Sequence, residues 1–219
     1  MGKRNAVGER AAPTRRAGRM ASGGAIREAA TTLFLRHGYL GTSMEEIATL
    51  AGVSKQTVYT HFPDKEALFT DLILGAAGRA DDFLQFATAV LEGTDDVESD
   101  LRQVARRYLA TVLTPAVLQL RRLVIGDSGR FPELARTYYE RAPERTLVTL
   151  ATCFRHLAER GVLVMDDPQL AAEHFAYLVL GEPLNQAMFG GGDRELPPAE
   201  LERRADAAVR VFLAAYGRA

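Results

Sequence analysis

One segment, SMEEIATLAGVSKQTVYTHFPDKEALF at residues 43–69, restricts the fold of this chain more than any other. It spells two short helices, a tight turn and the opening of a third helix. Ser43 and Glu46 have the S-x-x-E spacing of a capping box, in which each side chain satisfies a backbone N–H at the helix start. A helix from Met44 puts Met44, Ile47, Ala48 and Ala51 on one face. Gly52 ends it, because glycine enters the left-handed region without a Cβ clash. Val53 turns inward and Ser54 caps the next helix. There Val58 and Phe62, four apart, form the buried stripe. Pro63 stops that helix, and Asp64 caps another with Lys65 in its first turn.

At 100° per residue from Val58, Gln56 and Thr60 lie near the opposite side of the second helix, with Thr57 and Tyr59 on its flanks. The outward set of Lys55, Gln56, Thr57, Tyr59, Thr60 and His61 contains no carboxylate. Its hydroxyls, amide, imidazole and ammonium suit phosphate oxygens and base edges. Capped helices in tandem also occur in any helical protein. The acid-free face, the short glycine turn and the basic flank favour a helix that enters a DNA groove.

The same residues closely resemble the DNA-binding domain of TetR-family transcriptional regulators over residues 25–69. The first helix IREAATTLFLRHGY, with its Gly38-Tyr39 turn, is followed by Ile47-Ala48, Ala51-Gly52-Val53-Ser54, the Y-x-x-F of Tyr59 and Phe62, and Lys65-Glu66. The resemblance implies that Lys55, Gln56, Thr57 and Thr60 meet base edges or nearby backbone. It implies phosphate contacts for Tyr59, His61 and Lys65, and backbone contacts for Thr42 and Ser43. Gln56 stands where many members have glycine, alanine or proline, and a bidentate amide suits adenine.

Charge is unevenly distributed. Net charge is −1, yet residues 1–65 carry +5 and residues 66–219 carry −6. A basic head on an acidic body fits a protein that meets phosphate at one end, although solubility alone could produce the same split. Two of the three lysines, Lys55 and Lys65, fall in the segment above. The first twenty residues read as a basic, disordered arm in which Arg15, Arg16 and Arg19 could reach phosphates. Residues 21–66 are then the head and 67–219 the body.

Hydrophobic content of 47% and charged content of 25% are ordinary for a globular chain. No apolar run approaches a membrane span, and the N-terminus lacks the apolar core of a secretory signal. The single cysteine, Cys153, fits a reducing cytoplasm and reads as a small core residue. An apolar stripe of Ile26, Ala30, Leu33, Phe34 and His37 marks a helix over residues 24–37. Helical periodicity then continues over 64–91, 97–113 and 115–125, from Pro132, from or through Pro143 to Arg160, over 168–181, and over 198–216. A flexible loop is expected at the glycine triplet 190–192. No strand is convincing. The expected fold is all-α: a three-helix helix-turn-helix DNA-binding domain followed by a larger helical ligand-binding and dimerisation domain.

The helix after Pro168 is apolar on nearly every face, and the final helix offers many small residues. A partner copy would cover both, and TetR-family members resembling this chain dimerise through their last two helices. The expected interface is Ala172, Phe175, Ala176, Val179, Leu201, Ala205, Ala208, Val209 and Phe212. The resemblance also implies an effector pocket, largely apolar, for which Phe83, Phe86, Tyr108, Leu113, Leu120, Val124, Phe154, Phe175, Met188 and Phe189 are candidates; each could equally be core. Arg121, Arg122, Arg155, His156 and His174 could hold a polar or anionic effector group or belong to a solvated face. The sequence around F-P-E-L-A and G-E-P-L is similar in style to AcrR- and AefR-like C-terminal domains.

No zinc spacing, phosphate-binding glycine loop or nucleophile elbow appears, so neither catalysis nor a cofactor is expected. The reading is a ligand-responsive regulator, a repressor binding a palindromic operator as a homodimer. The alternative is a helical small-molecule- or protein-binding module with a vestigial head.

Overall fold

The computed structural model describes residues 15–78, 80–190 and 196–218. The expected arm at residues 1–14 and most of the glycine triplet lie outside the described residues. The chain forms two compact units that divide after Phe69.

The first unit contains α1 (Arg15–His37), α2 (Met44–Ala51), α3 (Lys55–His61) and the first turn of α4 (Lys65–Ala77). α1 starts earlier than residue 24, so residues 15–20, expected in the arm, are helical. The arginine, alanine and methionine there are good helix formers, and they outweigh the single Gly18. Ile26, Ile47 and Val58 are wholly buried where α1, α2 and α3 meet. Phe34, Tyr39 and Phe69 form an aromatic cluster with centroids 5.0–6.0 Å apart. The capping box is present: the Ser43 N–H donates to Glu46 Oε2 at 2.8 Å, and the Glu46 N–H donates to Ser43 Oγ at 3.2 Å. Gly52 sits at φ +66°, and the Val53 N–H reaches back to the Ala48 carbonyl. This left-handed stop turns α3 across α2. Gly23 keeps α1 close to α3, because a Cβ there would stand 3.3 Å from the His61 ring.

The second unit is built from α5 (Ala80–Glu92), α6 (Val97–Val112), α7 (Pro115–Gly126), α8 (Pro132–Tyr139), a π-helical turn (Glu140–Glu144), α9 (Arg145–Glu159), α10 (Pro168–Phe189) and α11 (Pro198–Tyr216). The single helix expected over 64–91 is broken. Gly78 forms a turn, and Asp81 and Asp82 open α5, where carboxylates favour the positive end of the helix. The helix expected to stop near Gly181 instead continues to Phe189 through the buried Pro183. Packing against neighbouring helices offsets the lost N–H. Pro143 falls in the π-helical turn, which absorbs the residue that cannot donate.

α10 packs against both α9 and α11, and α6 lies against α11 and α5. At the centre Phe154, Phe175 and Phe212, all wholly buried, stand with ring centroids 5.0–5.5 Å apart. Cys153 lies in this core, and burial pushes its thiol above the usual range. Arg106 makes a forked ion pair with Asp206 that ties α6 to α11, at 2.8–3.1 Å. The described residues contain no strand, only a bridge between Leu163 and Gly217. No single described helix is long and apolar enough to cross a membrane.

Candidate nucleic-acid interface and effector cavity

α3 is pinned by its Val58 edge, and its other side carries Lys55, Gln56, Tyr59 and Thr60 exposed. The N-terminus is held by Ser54, whose oxygen accepts the Thr57 N–H at 3.1 Å and shares a hydrogen bond with the Thr57 hydroxyl at 2.8 Å. Thr57 is therefore half-spent on capping. The Thr60 hydroxyl donates back to the Gln56 carbonyl at 2.8 Å. Among the described residues nothing bonds to the Gln56 amide, so both of its polar ends face outward. Tyr59 is 43% exposed, with the Lys55 ammonium 5.9 Å from its ring centre.

Three residues assigned to DNA contact do structural work instead. Thr42 is 2% exposed, and its hydroxyl donates to the Gly38 carbonyl at 2.9 Å, so it is closed to a phosphate. Lys65 donates to the Tyr39 and Thr42 carbonyls at 2.8 and 2.7 Å, and sits 4.4 Å over the Tyr39 ring. Its charge is used to fasten the loop after α1. His61 turns toward α1, 3.0 Å from the Ser22 hydroxyl. Ser43 is engaged in its capping box but stays partly exposed.

The acid-free face also has a neighbour that helix periodicity does not show. Glu45 on α2 forms an ion pair with Lys55. The hydrogen bond from Lys55 holds the Glu45 carboxyl below its usual range, and the same bond raises the Lys55 ammonium. Both side chains are exposed, so the pair contributes little to stability.

In the second unit, a cavity of about 380 Å³ opens among α6, α7, α8 and α10, beside a smaller one of about 60 Å³. Tyr108, Arg121, Tyr138 and Pro143 line both. Of the candidates for the pocket, Tyr108 and Val124 border the larger cavity, and Phe83 and Leu120 the smaller. Leu113 and Phe189 line a separate cavity of about 590 Å³, more voluminous and less open than the one around Tyr108. Phe154 and Phe175 line none of these three cavities; they are part of the core itself. Phe86 packs beside that core, and Met188 contributes only a carbonyl, which accepts from Arg122 Nε at 3.2 Å. Tyr139, Ser128 and Asn185 also line the cavity of about 380 Å³. Local spacing had not singled them out, because they converge from three separate helices or loops. Tyr108 stacks on Phe83 with centroids 4.8 Å apart. Burial pushes its hydroxyl up to about 12, against a smaller opposing effect of Arg121.

The expected dimer residues are corrected in the same way. Ala172, Phe175, Ala176, Val179, Ala205, Ala208, Val209 and Phe212 are buried within the chain's own core, with Leu201 packed against it. The inward faces of α10 and α11 took the strongest apolar signal. Their outward faces hold Val211 at 54% exposure, with Leu170 and Leu178, while the exposed Tyr177 lines the cavity around Tyr108.

A capped two-helix reading unit ahead of an all-helical body that holds a cavity between its helices defines a helix-turn-helix transcriptional regulator. Sequence comparison agrees. Residues 26–72 match the profile of bacterial regulatory proteins of the tetR family, and residues 99–218 match that of the AefR-like transcriptional repressor C-terminal domain. A TetR-family regulator from Mesorhizobium loti is 46% identical, covering 94% of this chain and 100% of that one, with a TM-score of 0.83. The flavonoid-responsive regulator FrrA is 37% identical over 90% of this chain and 98% of its own, with a TM-score of 0.72. The helix-turn-helix regulator RutR of Escherichia coli is 51% identical over 45 residues, 20% of this chain. The chain spans only 21–25% of the length of the curated relatives it matches. The chain belongs to the TetR family of transcriptional regulators, which are not enzymes.

Proposed function

We propose that the protein is a repressor that binds a palindromic operator as a homodimer and is released by a small-molecule effector. The observation that carries the reading is the α3 face, where Gln56, Tyr59 and Thr60 are exposed on a helix fixed at its buried edge. Gln56 would read a base, Lys55, Thr57 and Thr60 would meet nearby bases or backbone, and Tyr59 and Ser43 would meet phosphates. Thr42, His61 and Lys65 support that face from behind.

A two-fold dimer sets recognition helices about one turn of DNA apart, ~34–36 Å. The surface that supports dimerisation is the outward side of α10 and α11 around Leu170, Leu178 and Val211, an exposed apolar set that a second copy would cover. The similarity to the AefR-like repressor domain supports repression, and the similarity to FrrA supports an aromatic effector. An effector that prefers a body shape with the wrong spacing lowers operator affinity, and DNA lowers effector affinity by the same factor. α4 is continuous from one unit into the other and would transmit the change. Membership of the family supports a cytoplasmic location.

Selection of bound genomic fragments tests the reading. A single inverted-repeat motif bound by a dimer is expected, and light scattering should show that Val211→Asp gives a folded monomer. Sequence-independent binding, or a monomer at operator-binding concentrations, overturns it.

A further inference from the structure

We infer that the cavity of about 380 Å³ among α6, α7, α8 and α10 takes an aromatic acid of one or two rings, with its carboxylate held by Arg121 and Tyr108. The inference rests on the effector reading above and names the chemistry of that ligand.

Arg121 carries the argument. Its sequence neighbour Arg122 spends its guanidinium on the Ala187 and Met188 carbonyls at the end of α10, and Arg106 spends its own on Asp206. Arg121 borders both cavities, and among the described residues no hydrogen bond or ion pair engages it. No carboxylate lines either cavity. A guanidinium partly withdrawn from water, facing an apolar space, gains most from a ligand that brings the missing negative charge in a planar, two-oxygen form.

Tyr108 supplies the second anchor. Its hydroxyl faces the same space with no described protein partner, and burial keeps it protonated across the physiological range. As a protonated phenol it can donate to a carboxylate oxygen. Val124, Leu147, Leu180 and Leu184 supply apolar walls, and the rings of Tyr138 and Tyr139 offer stacking surfaces. A cavity of about 380 Å³ accommodates one or two rings rather than an extended chain. The π-helical turn places Pro143 in the wall, and such turns recur where a helix has been deformed around a functional space.

The test compares 2-naphthoate with 2-naphthamide, which differ in charge and little in shape, by titration calorimetry on the full chain at pH 7.5. The acid is expected to bind at least about tenfold more tightly, as a charge-assisted bond requires. Arg121→Gln should erase that preference and leave amide affinity within about twofold, whereas Arg121→Lys should retain part of it. Equal affinities, a preference that survives Arg121→Gln, or no binding of either probe overturns the inference. Should Arg121→Gln fail a circular-dichroism melt, the wild-type comparison and Arg121→Lys decide. A gel shift on the selected operator separates this from the effector reading. Release by the amide but not the acid overturns the inference and leaves that reading standing. Failure to bind any operator removes the reading, while the calorimetry still judges the acid.

Discussion

The head and the body use polar side chains in opposite ways. In the head, polar groups are consumed by short-range tasks a few residues apart: Ser43 with Glu46, Ser54 with Thr57, Thr60 with Gln56. What remains exposed on α3 is defined by what those caps leave over. In the body, the groups facing the cavity come from helices far apart in sequence, and among the described residues no hydrogen bond engages the Arg121 guanidinium or the Tyr108 hydroxyl. A surface built for a polymer of fixed geometry can be assembled locally. A space built for a small molecule has to be enclosed from several sides at once.

Four substitutions would sharpen or break that contrast. The largest effect should come from Phe154→Ala, which removes a ring from the centre of the body. A loss of about 3–5 kcal/mol in urea unfolding is expected. A loss below 1 kcal/mol would mean that the aromatic cluster is not the core of the unit. Lys65→Met comes next. Because its ammonium fastens the Tyr39 and Thr42 carbonyls, the head should lose about 1.5–3 kcal/mol of stability, while the salt dependence of DNA binding stays nearly unchanged. A salt slope reduced by about one would return Lys65 to the phosphate contacts.

Gln56→Ala should leave folding alone and cost about 1–3 kcal/mol against the preferred base at one operator position. An unchanged binding motif would remove the base-reading role. Ser43→Ala should be the smallest, about 1 kcal/mol from the α2 cap. The same cap gives a pH effect of known sign. Ser43 holds the Glu46 carboxyl below its usual range, so its support is present above pH 4.5 and is lost as pH falls through the lowered value. Thermal melts of Glu46→Gln, which keeps the acceptor without the charge, should lack that acid limb.

The legible part of the sequence was the part governed by local spacing. The capping box at Ser43, the left-handed Gly52 and the proline stop at Pro63 are decided by neighbours, and the helix-turn-helix followed from them. Burial of Thr42 and the inward use of Lys65 depend on where the Gly38–Thr42 loop folds back, which no period reveals. α10 misled for a related reason. With apolar residues on nearly every face, its pattern could not separate the side packed on Phe154 from the side carrying Leu178, and the residues nominated for a partner were those already covered. Arg121 sits in an apolar run whose helix face cannot be told without knowing what lies opposite.

The ion pair between Glu45 and Lys55 has a consequence for discrimination among DNA sites. A duplex that reaches Lys55 must displace an anion already in place, so a backbone offering only phosphate merely exchanges one negative partner for another. A correct site adds base contacts that the carboxylate cannot imitate. If Lys55 meets DNA as proposed, Glu45 would compete weakly with phosphate for it, and Glu45→Gln should raise sequence-independent affinity more than operator affinity.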